Sequence, residues 1–584
     1  MNTDKHGFLP LVRGLGLLGL LLAIAATPPP PPPGGNADLY VWRVSVASTA
    51  DELRLTNGGW DVLEARGPDY LLVLGSAATA NKLRAEGFQV SVDQTLAAVP
   101  QGMSPLTYYG GYRTVVEHYQ HLTDTVTAHP DLAVVVDYGD SWLKEQFLGG
   151  YDLQAICITK LQPGDCALDP DTPKARFFLM AAIHARELST SEMAWRWIDD
   201  LVNNYNIDPE VTALLDHSEI WVVPVVNPDG REVVESGGDN PIWQRKNVHN
   251  YGSCTSTGIG VDLNRNAGFQ WGGNGSSGTP CSETYRGPTP ASEPEEYFLE
   301  ALMSNLFLDQ RGPALTDTAP LTTTGAMLTL HTYSNLVLFP WGWVECSQLP
   351  CPPAQQSPND TGLRSWGFRL SYFNGYKTGQ PSEILYAASG TTDDWAYGAL
   401  GIAAGTFEIG PNDGSTCSYF FPPYSCQDSA FWPLNRPAFM YAAKLARQPY
   451  TLALGPTTFT PTVSLAQTMV GGPMTVTAIT DDNAYGNALG RVGRPAAQTI
   501  AAGELYVDTP PWLGGAPMSM TAQDGAFDSA SEVLQAALDT SALSVGQHTL
   551  FVRGQDADGN WGPVTAQWVW VTVSSWLYLP VIQR

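Results

Sequence analysis

An unbroken apolar run, Phe177–Ile183, stops abruptly at His184-Ala-Arg-Glu187. The run is too short for a buried helix and suits a strand buried on both faces. Comparable runs stand at Ala133–Val136, Ile220–Val226, Met327–Leu330 and Gly401–Phe407. Helical stretches separate several of them, and Val115, Tyr119, Leu122 and Val126 already place an apolar stripe on one helix. Together these predict an α/β domain, a mixed, mostly parallel sheet flanked by helices, over residues 104–450. Such sheets bind ligands at the carboxyl ends of their strands, so the polar residues that close the runs are the first candidates for a site.

The chain has 584 residues, room for roughly three or four domains. Lys5 and Arg13 precede an apolar stretch, Leu15–Ala25, that ends in Ala23-Ile24-Ala25. This reads as a signal peptide over 1–26, with a retained anchor as the alternative. Pro28–Pro33 and Gly34-Gly35 form a stiff spacer with a flexible end over 27–36. In 37–103, Tyr40, Trp42, Val44 and Val46 alternate with other residues as in a strand, and Ser48, Thr49 and Ser76 offer helix starts. With short strands at Asp61–Ala65, Tyr70–Leu74 and Phe88–Val92, the order is β-α-β-β-α-β, a small ferredoxin-like α+β module. Residues 455–573 turn to short alternating stretches and predict a C-terminal all-β sandwich of the immunoglobulin or fibronectin kind. Within it Asp556, Asp558 and Asn560 are placed either to bind calcium or to make a hairpin turn. The Asp558-Gly559 pair favours the turn, and no Glu completes an EF-hand loop. The tail, 574–584, is apolar.

Thirty Lys and Arg against fifty-seven Asp and Glu give a net charge of −27, which argues against nucleic acid or anionic membrane as partners. The eight cysteines fall into neighbouring pairs, Cys157 with Cys166, Cys254 with Cys281, Cys346 with Cys351 and Cys417 with Cys426. An even count in an exported chain suggests disulfides that close surface loops. No C-x-x-C pair supports the competing reading, metal binding by these cysteines.

Only nine histidines are present. His118, His121 and His129 stand in or after a helix, and His217, His249 and His548 lie in polar surroundings where solvation is expected. His184 and His331 instead close apolar runs. His184 and Glu187 are three residues apart, so one helical turn brings both toward the same ion. With His331 from another strand end they compose a two-His, one-Glu set with a position left for water, the pattern of a catalytic zinc, one per chain.

Further motifs bring a resemblance into view. His184-Ala-Arg-Glu187, Asn227-Pro-Asp-Gly230, Gly260-Val-Asp-Leu-Asn-Arg-Asn266, Tyr285-Arg-Gly-Pro288 with Ser292-Glu-Pro-Glu295, His331-Thr-Tyr-Ser334, Ile384–Gly390, Asp394-Trp395 and Thr406-Phe-Glu408 occur in that order. They resemble the motifs of the zinc carboxypeptidase family of the carboxypeptidase A and B type. The resemblance implies a secreted zinc metallocarboxypeptidase that hydrolyses the C-terminal residue of peptides and proteins. It implies Glu408 as general base and acid, Asn264 and Arg265 as the clamp on the terminal carboxylate, and Asp262 behind His184. It further implies Tyr386 over the bound terminus, and Thr332 and Tyr333 along the path of the preceding residues. The module at 37–103 is similar to the family's inhibitory prosegments.

One departure concerns the oxyanion. Where the family has W-R-K-x-R, with its last Arg on the oxyanion, this chain reads Trp243-Gln-Arg-Lys-Asn-Val248. Asn247 or Val248 falls at that place, and Arg245 is the candidate to take the role from a shifted position. Asp393 falls where the family sets side-chain preference, and an acid there implies basic or broad C-terminal residues. Two other readings are a cell-wall peptidase of the same fold and a non-catalytic peptide-binding protein, though the latter would have lost Glu408 or a metal ligand. No membrane contact is expected after signal removal. The sandwich is read as a spacer, with cell-surface or carbohydrate contact as the alternative.

Overall fold

The computed structural model describes residues 39–95, 108–411, 413–487 and 493–573. The signal-like run, the proline stretch, the link at 96–107 and the tail lie outside the described residues. The first module consists of β1 (Leu39–Ser45), β2 (Asp61–Arg66), β3 (Tyr70–Ser76) and β4 (Val90–Thr95), with helices at Thr49–Thr56 and Ala77–Ala85. Its strands pair antiparallel in the order β2-β3-β1-β4, a ferredoxin-like arrangement. Ser48 and Ser76 cap the two helices by accepting from the amides of Asp51 and Thr79. Alternation along the strands feeds two cores. Val44, Leu71 and Val73 meet Leu55 and Leu83 of the helices, whereas Val41, Leu63, Leu72 and Leu74 meet Trp243, Tyr333 and Phe420 of the large domain. The second face is thus buried only against the rest of the chain.

The large domain carries β5 (Ala133–Asp140), β6 (Asp152–Ile158), β7 (Ala175–Met180), β8 (Ser218–Val223), β9 (Ala326–His331), β10 (Leu336–Leu338), β11 (Lys377–Gly379) and β12 (Ala403–Glu408). They form one sheet in the order β11-β10-β12-β9-β7-β8-β6-β5. The central four, β12-β9-β7-β8, are mutually parallel, while β6 runs antiparallel to both β8 and β5 and β10 antiparallel to β12. Every residue of β7, β8, β9 and β12 is buried, which is why these strands read as continuous apolar runs rather than alternating ones. Helices at Val115–Ala128, Leu188–Asn204, Pro209–His217, Pro294–Leu306, Asp360–Asn374 and Trp432–Leu445 cover the sheet. The four disulfides pair the cysteines as neighbours, as expected.

The C-terminal strands are β13 (Thr457–Thr458), β14 (Thr462–Val463), β15 (Gln467–Met469), β16 (Pro473–Asp481), β17 (Ile500–Val507), β18 (Met518–Ala522), β19 (Ser531–Asp539), β20 (Gly546–Asp556) and β21 (Thr565–Thr572). Met474, Val476, Leu505, Leu534, Leu550 and Val569 fill the space between their faces. The region also packs on the large domain. Arg369 of the large domain pairs with Asp482 at 2.5 Å, both fully buried, and Lys444 donates to Thr565 Oγ1 at 3.0 Å. The Asp556 carboxylate accepts from Asn560 N at 2.8 Å and Nδ2 at 2.9 Å, closing the hairpin turn. Among the described residues no helix is long and apolar enough to cross a membrane.

The expected solvation of three histidines does not hold. His548 sits between Asp508 and the Ser544 carbonyl, His249 bonds Glu293 at 3.0 Å, and His217 packs on Trp512. Most of these partners are tens of residues away in sequence, so local polarity misleads.

Candidate active site

His184 and Glu187 lie in the turn between β7 and the helix Leu188–Asn204, and His331 is the last residue of β9. The turn is braced from three directions. Thr190 Oγ1 donates to the Glu187 carbonyl and accepts from Ala182 N, and Asn227 reaches the Ile183 carbonyl while capping its own helix at Gly230 N. This is the physical work of the Asn227-Pro-Asp-Gly motif. The brace brings His184 Nδ1 to 2.7 Å from Glu187 Oε1, and His331 Nδ1 to 3.0 Å from His184 Nδ1 and 3.1 Å from Glu187 Oε2. The three residues are the one group among the described residues whose His, Cys, Asp or Glu donors could hold a metal ion together.

The donor chemistry fits zinc. Asp262 Oδ1 lies 3.2 Å from His184 Nε2. Burial alone would raise the Asp262 carboxyl, but Arg245, Arg265 and His184 hold it well below its ordinary range, so it is an acceptor only. The proton of a neutral His184 therefore sits on Nε2, and its Nδ1 lone pair faces a carboxylate oxygen. Burial likewise opposes ionisation of Glu187, yet the two imidazoles keep its carboxyl below the ordinary range. Lone pairs converging in this way need a positive charge among them. Two zinc ligands at about 2.1 Å in tetrahedral geometry lie about 3.4 Å apart, close to the separations here.

Glu408 ends β12 directly opposite His331 in the parallel register. Its Oε2 is buried with no hydrogen-bond partner. Burial first, then the carboxylates of Glu64 and Glu187, push its carboxyl well above the ordinary value. Glu408 shares a cavity of about 40 Å³ with His184, His331, Arg245, Asn264, Arg265, Tyr386 and Asp393. Arg265 is fixed by bonds from Nε to the Gly275 carbonyl and from Nη1 to the Asn264 carbonyl, and Asn264 Oδ1 accepts from Thr392 N. Gly390 makes this possible: at φ 69° it lies so close to Arg265 that a Cβ would fall 2.4 Å from the Arg265 carbonyl oxygen.

The shifted arginine reaches the cavity and the alternatives do not. Arg245 Nε donates to Asp262 Oδ2 at 3.1 Å, and its Nη1 lies 3.9 Å from Glu187. Asn247 points elsewhere, its amide shared between Glu293 and Glu295; Val248 does not line the cavity either. Asp393 does line it, with Oδ2 accepting from Thr406 Oγ1 at 3.0 Å and Oδ1 from Asp394 N at 2.9 Å. Thr332 and Tyr333 are not in its wall. Thr332 N donates to Glu187 Oε2, and Tyr333 lies beneath the first module.

Sequence reasoning missed the residues by which that module enters the site. Strand β2 lies across the cavity: Asp61 takes both Arg186 Nη atoms at 2.6 and 2.7 Å, the Val62 carbonyl accepts from Tyr386 OH, and Arg66 donates to the Leu385 carbonyl. Glu64 lines the cavity itself, 3.4 Å from Arg245 Nη1, and its Oε2 has no partner. Burial raises its carboxyl despite Arg245. The sequence of this short strand carries no signal for them, since their partners lie far along the chain.

The sequence profile of the zinc carboxypeptidase family matches residues 118–429, more than half of the chain. Carboxypeptidase A2 of Mus musculus is 31% identical over 296 residues, 50% of this chain and 61% of that protein. The chain thus spans about three-fifths of the length of that relative. A zinc carboxypeptidase of Saccharothrix mutabilis subsp. capreolus is 29% identical over 396 residues, 65% of this chain and 83% of that one. The crystal structure of carboxypeptidase A from Helicoverpa armigera superposes with a TM-score of 0.54 at 22% identity, covering 71% of this chain and 99% of that one, a likeness of fold.

Proposed function

The chain belongs to the zinc carboxypeptidase family, and from that premise we propose that it is a secreted metallocarboxypeptidase, latent until its first module is removed, that hydrolyses the C-terminal residue of peptides and proteins. The observation that carries this reading is a single buried cavity. It joins His184 and His331, which share a donor cluster with Glu187, to the unpartnered Glu408 carboxylate and the Asn264–Arg265 pair.

Zinc held by His184, Glu187 and His331 would polarise the scissile carbonyl and acidify a water. Glu408 takes the proton of the attacking water and returns it to the leaving amine, its free Oε2 facing the same cavity as His184 and His331. Arg245 offers its guanidinium to the developing oxyanion from beside Glu187. Arg265, a planar and permanently charged fork, takes the substrate's terminal carboxylate with Asn264 beside it. Tyr386, once free of Val62, closes over the terminus. Asp262 keeps His184 in the tautomer that presents Nδ1.

Asp393 sets a preference for Lys or Arg at the terminus. Its buried carboxylate has two neutral donors and no cation partner, so a cationic side chain is stabilised there and an apolar one leaves it unpaired. Strand β2 is the latch, since Glu64 puts a carboxylate into the cavity and Asp61 ties the strand to Arg186. The reading is tested by measuring metal per chain and the release of C-terminal residues after module removal, with and without a chelator. Undiminished release by zinc-free protein would sink it.

A further inference from the structure

A second and larger cavity, about 440 Å³, opens at the opposite ends of the sheet's strands, between the large domain and the sandwich. Ser218, which begins β8, and Thr324, just before β9, stand in its wall. At about 3.3 Å per residue, a six-residue strand separates it from the metal ligands by roughly 20 Å. Its size and its place at a domain junction are those of ligand sites. Leu214 and Leu452 line it from one side, and Trp512, Phe551, Pro563 and Val564 from the other.

Three cationic side chains border it, and two are neutralised. Lys444 pairs with Glu210 at 2.7 Å, and Arg553 with Glu504 at 2.7 Å. Arg447 has no such partner. Its Nη2 donates to the His217 carbonyl at 2.7 Å, its guanidinium lies 4.3 Å from the centre of the Trp512 ring, and no carboxylate among the described residues pairs with it. Burial lowers its pKa to about 10, which leaves it charged at neutral pH. The neighbouring His217 is pushed down to about 4, by burial first and then by Arg447, so it adds no second charge. A half-buried guanidinium with no carboxylate partner among the described residues, over an indole and facing an apolar hollow, is suited to an anion that carries an apolar group.

We propose that this cavity is a second binding site, for an organic carboxylate joined to an apolar group. Arg447 takes the carboxylate, and Trp512 and Phe551 flank the apolar part. Two sources share that chemistry, the apolar C-terminus of a peptide and a free acylated amino acid, and neither needs the catalytic cavity. The proposal goes beyond peptide hydrolysis, and the site would also tie the sandwich to the large domain.

The test is calorimetric titration of the full chain carrying Glu408→Gln with N-acetyl-L-phenylalanine, with its neutral amide, and with a short peptide ending in Phe. The acid should bind at least tenfold more tightly than the amide. Arg447→Gln should weaken the acid at least tenfold and the amide little, whereas Trp512→Ala should weaken both. Saturation by the peptide alone assigns the site to chain termini, and equal binding of the free acid extends it to released products. Should Arg447→Gln unfold, Arg447→Lys and the acid-to-amide ratio of the unaltered site decide. Equal binding of acid and amide, acid binding that survives Arg447→Gln in a folded chain, or no heat from any probe at about 10 mM would each overturn the proposal.

Discussion

Replacing Asp61 by Ala should release the latch without touching any residue of the catalytic cavity. Asp61 takes both Nη atoms of Arg186, and the two side chains are 8% and 1% exposed. In the closed Asp61→Ala chain the guanidinium stays buried without its bonded carboxylate; in the open chain it returns to water. Removing one partner of a buried pair costs about 3–5 kcal/mol. Because only the closed state bears that cost, the open fraction should rise roughly 10²–10⁴-fold, at about 1.4 kcal/mol per tenfold. Asp51→Ala is the matched control. It breaks the pair with Arg54, whose side chains are 29% and 51% exposed, and such surface pairs are worth about 0–1 kcal/mol. The assay is the initial rate of C-terminal residue release by uncleaved chain, its integrity checked by mass, divided by the rate after proteolytic removal of the module. An Asp61→Ala chain as latent as the parent, with an unchanged rate after cleavage, would refute the reasoning.

His331→Ala should lose stoichiometric zinc, read by elemental analysis of the purified chain. Glu408→Gln should keep zinc and peptide binding while kcat falls by about 10²–10⁴-fold, the usual weight of general acid–base catalysis. Asp393→Ala should abolish a kcat/KM preference for peptides ending in Arg or Lys over Phe or Leu; a parent enzyme that prefers Phe or Leu would exclude the assignment. Burial, with Asp229 beside it, raises Glu295 from 4.5 to about 8, and burial raises Asp229 from 3.8 to about 6. The folded chain thus holds these protons more tightly than the unfolded chain, so the stability they contribute below about pH 4 is lost as pH rises through 6 to 8. Glu295→Gln should flatten the fall of Tm across that window.

What the sequence made legible is what local patterning encodes. Strands β7, β8, β9 and β12 are buried on both faces, so each reads as an apolar run whose end is visible, and His184, His331 and Glu408 stand at or just past those ends. The metal-facing spacing of His184 and Glu187 is likewise a property of one turn. The first module was readable for the same reason, since Ser48 and Ser76 announce helices that alternation then frames. Alternation does not say what a face will meet. Val44 and Val41 look equally apolar, yet one packs on the module's own helices and the other on Trp243, Tyr333 and Phe420, some two to four hundred positions along the chain.

That limit explains Glu64 and Arg245 together. In a strand read alone, a Glu between Leu63 and Ala65 belongs to a solvated face; here its counterpart is 181 residues away, and pairing across such a separation leaves no local trace. The shift to Arg245 has a finer cause. A spacing argument from Trp243 selects Asn247, but two backbone bonds decide the matter. Ala185 N donates to the Arg245 carbonyl at 2.9 Å, which pins that residue beside the His184 turn, and Asn247 N donates to the Val261 carbonyl at 3.1 Å, which draws Asn247 toward Glu293 and Glu295. A buried amide already committed to two carboxylates has no donor left to offer an oxyanion, whereas Arg245 bonds Asp262 through Nε and keeps its Nη edge at the cavity. Which of these residues reaches the cavity therefore follows from backbone hydrogen bonding between segments distant in sequence, and counting along the motif alone does not show it.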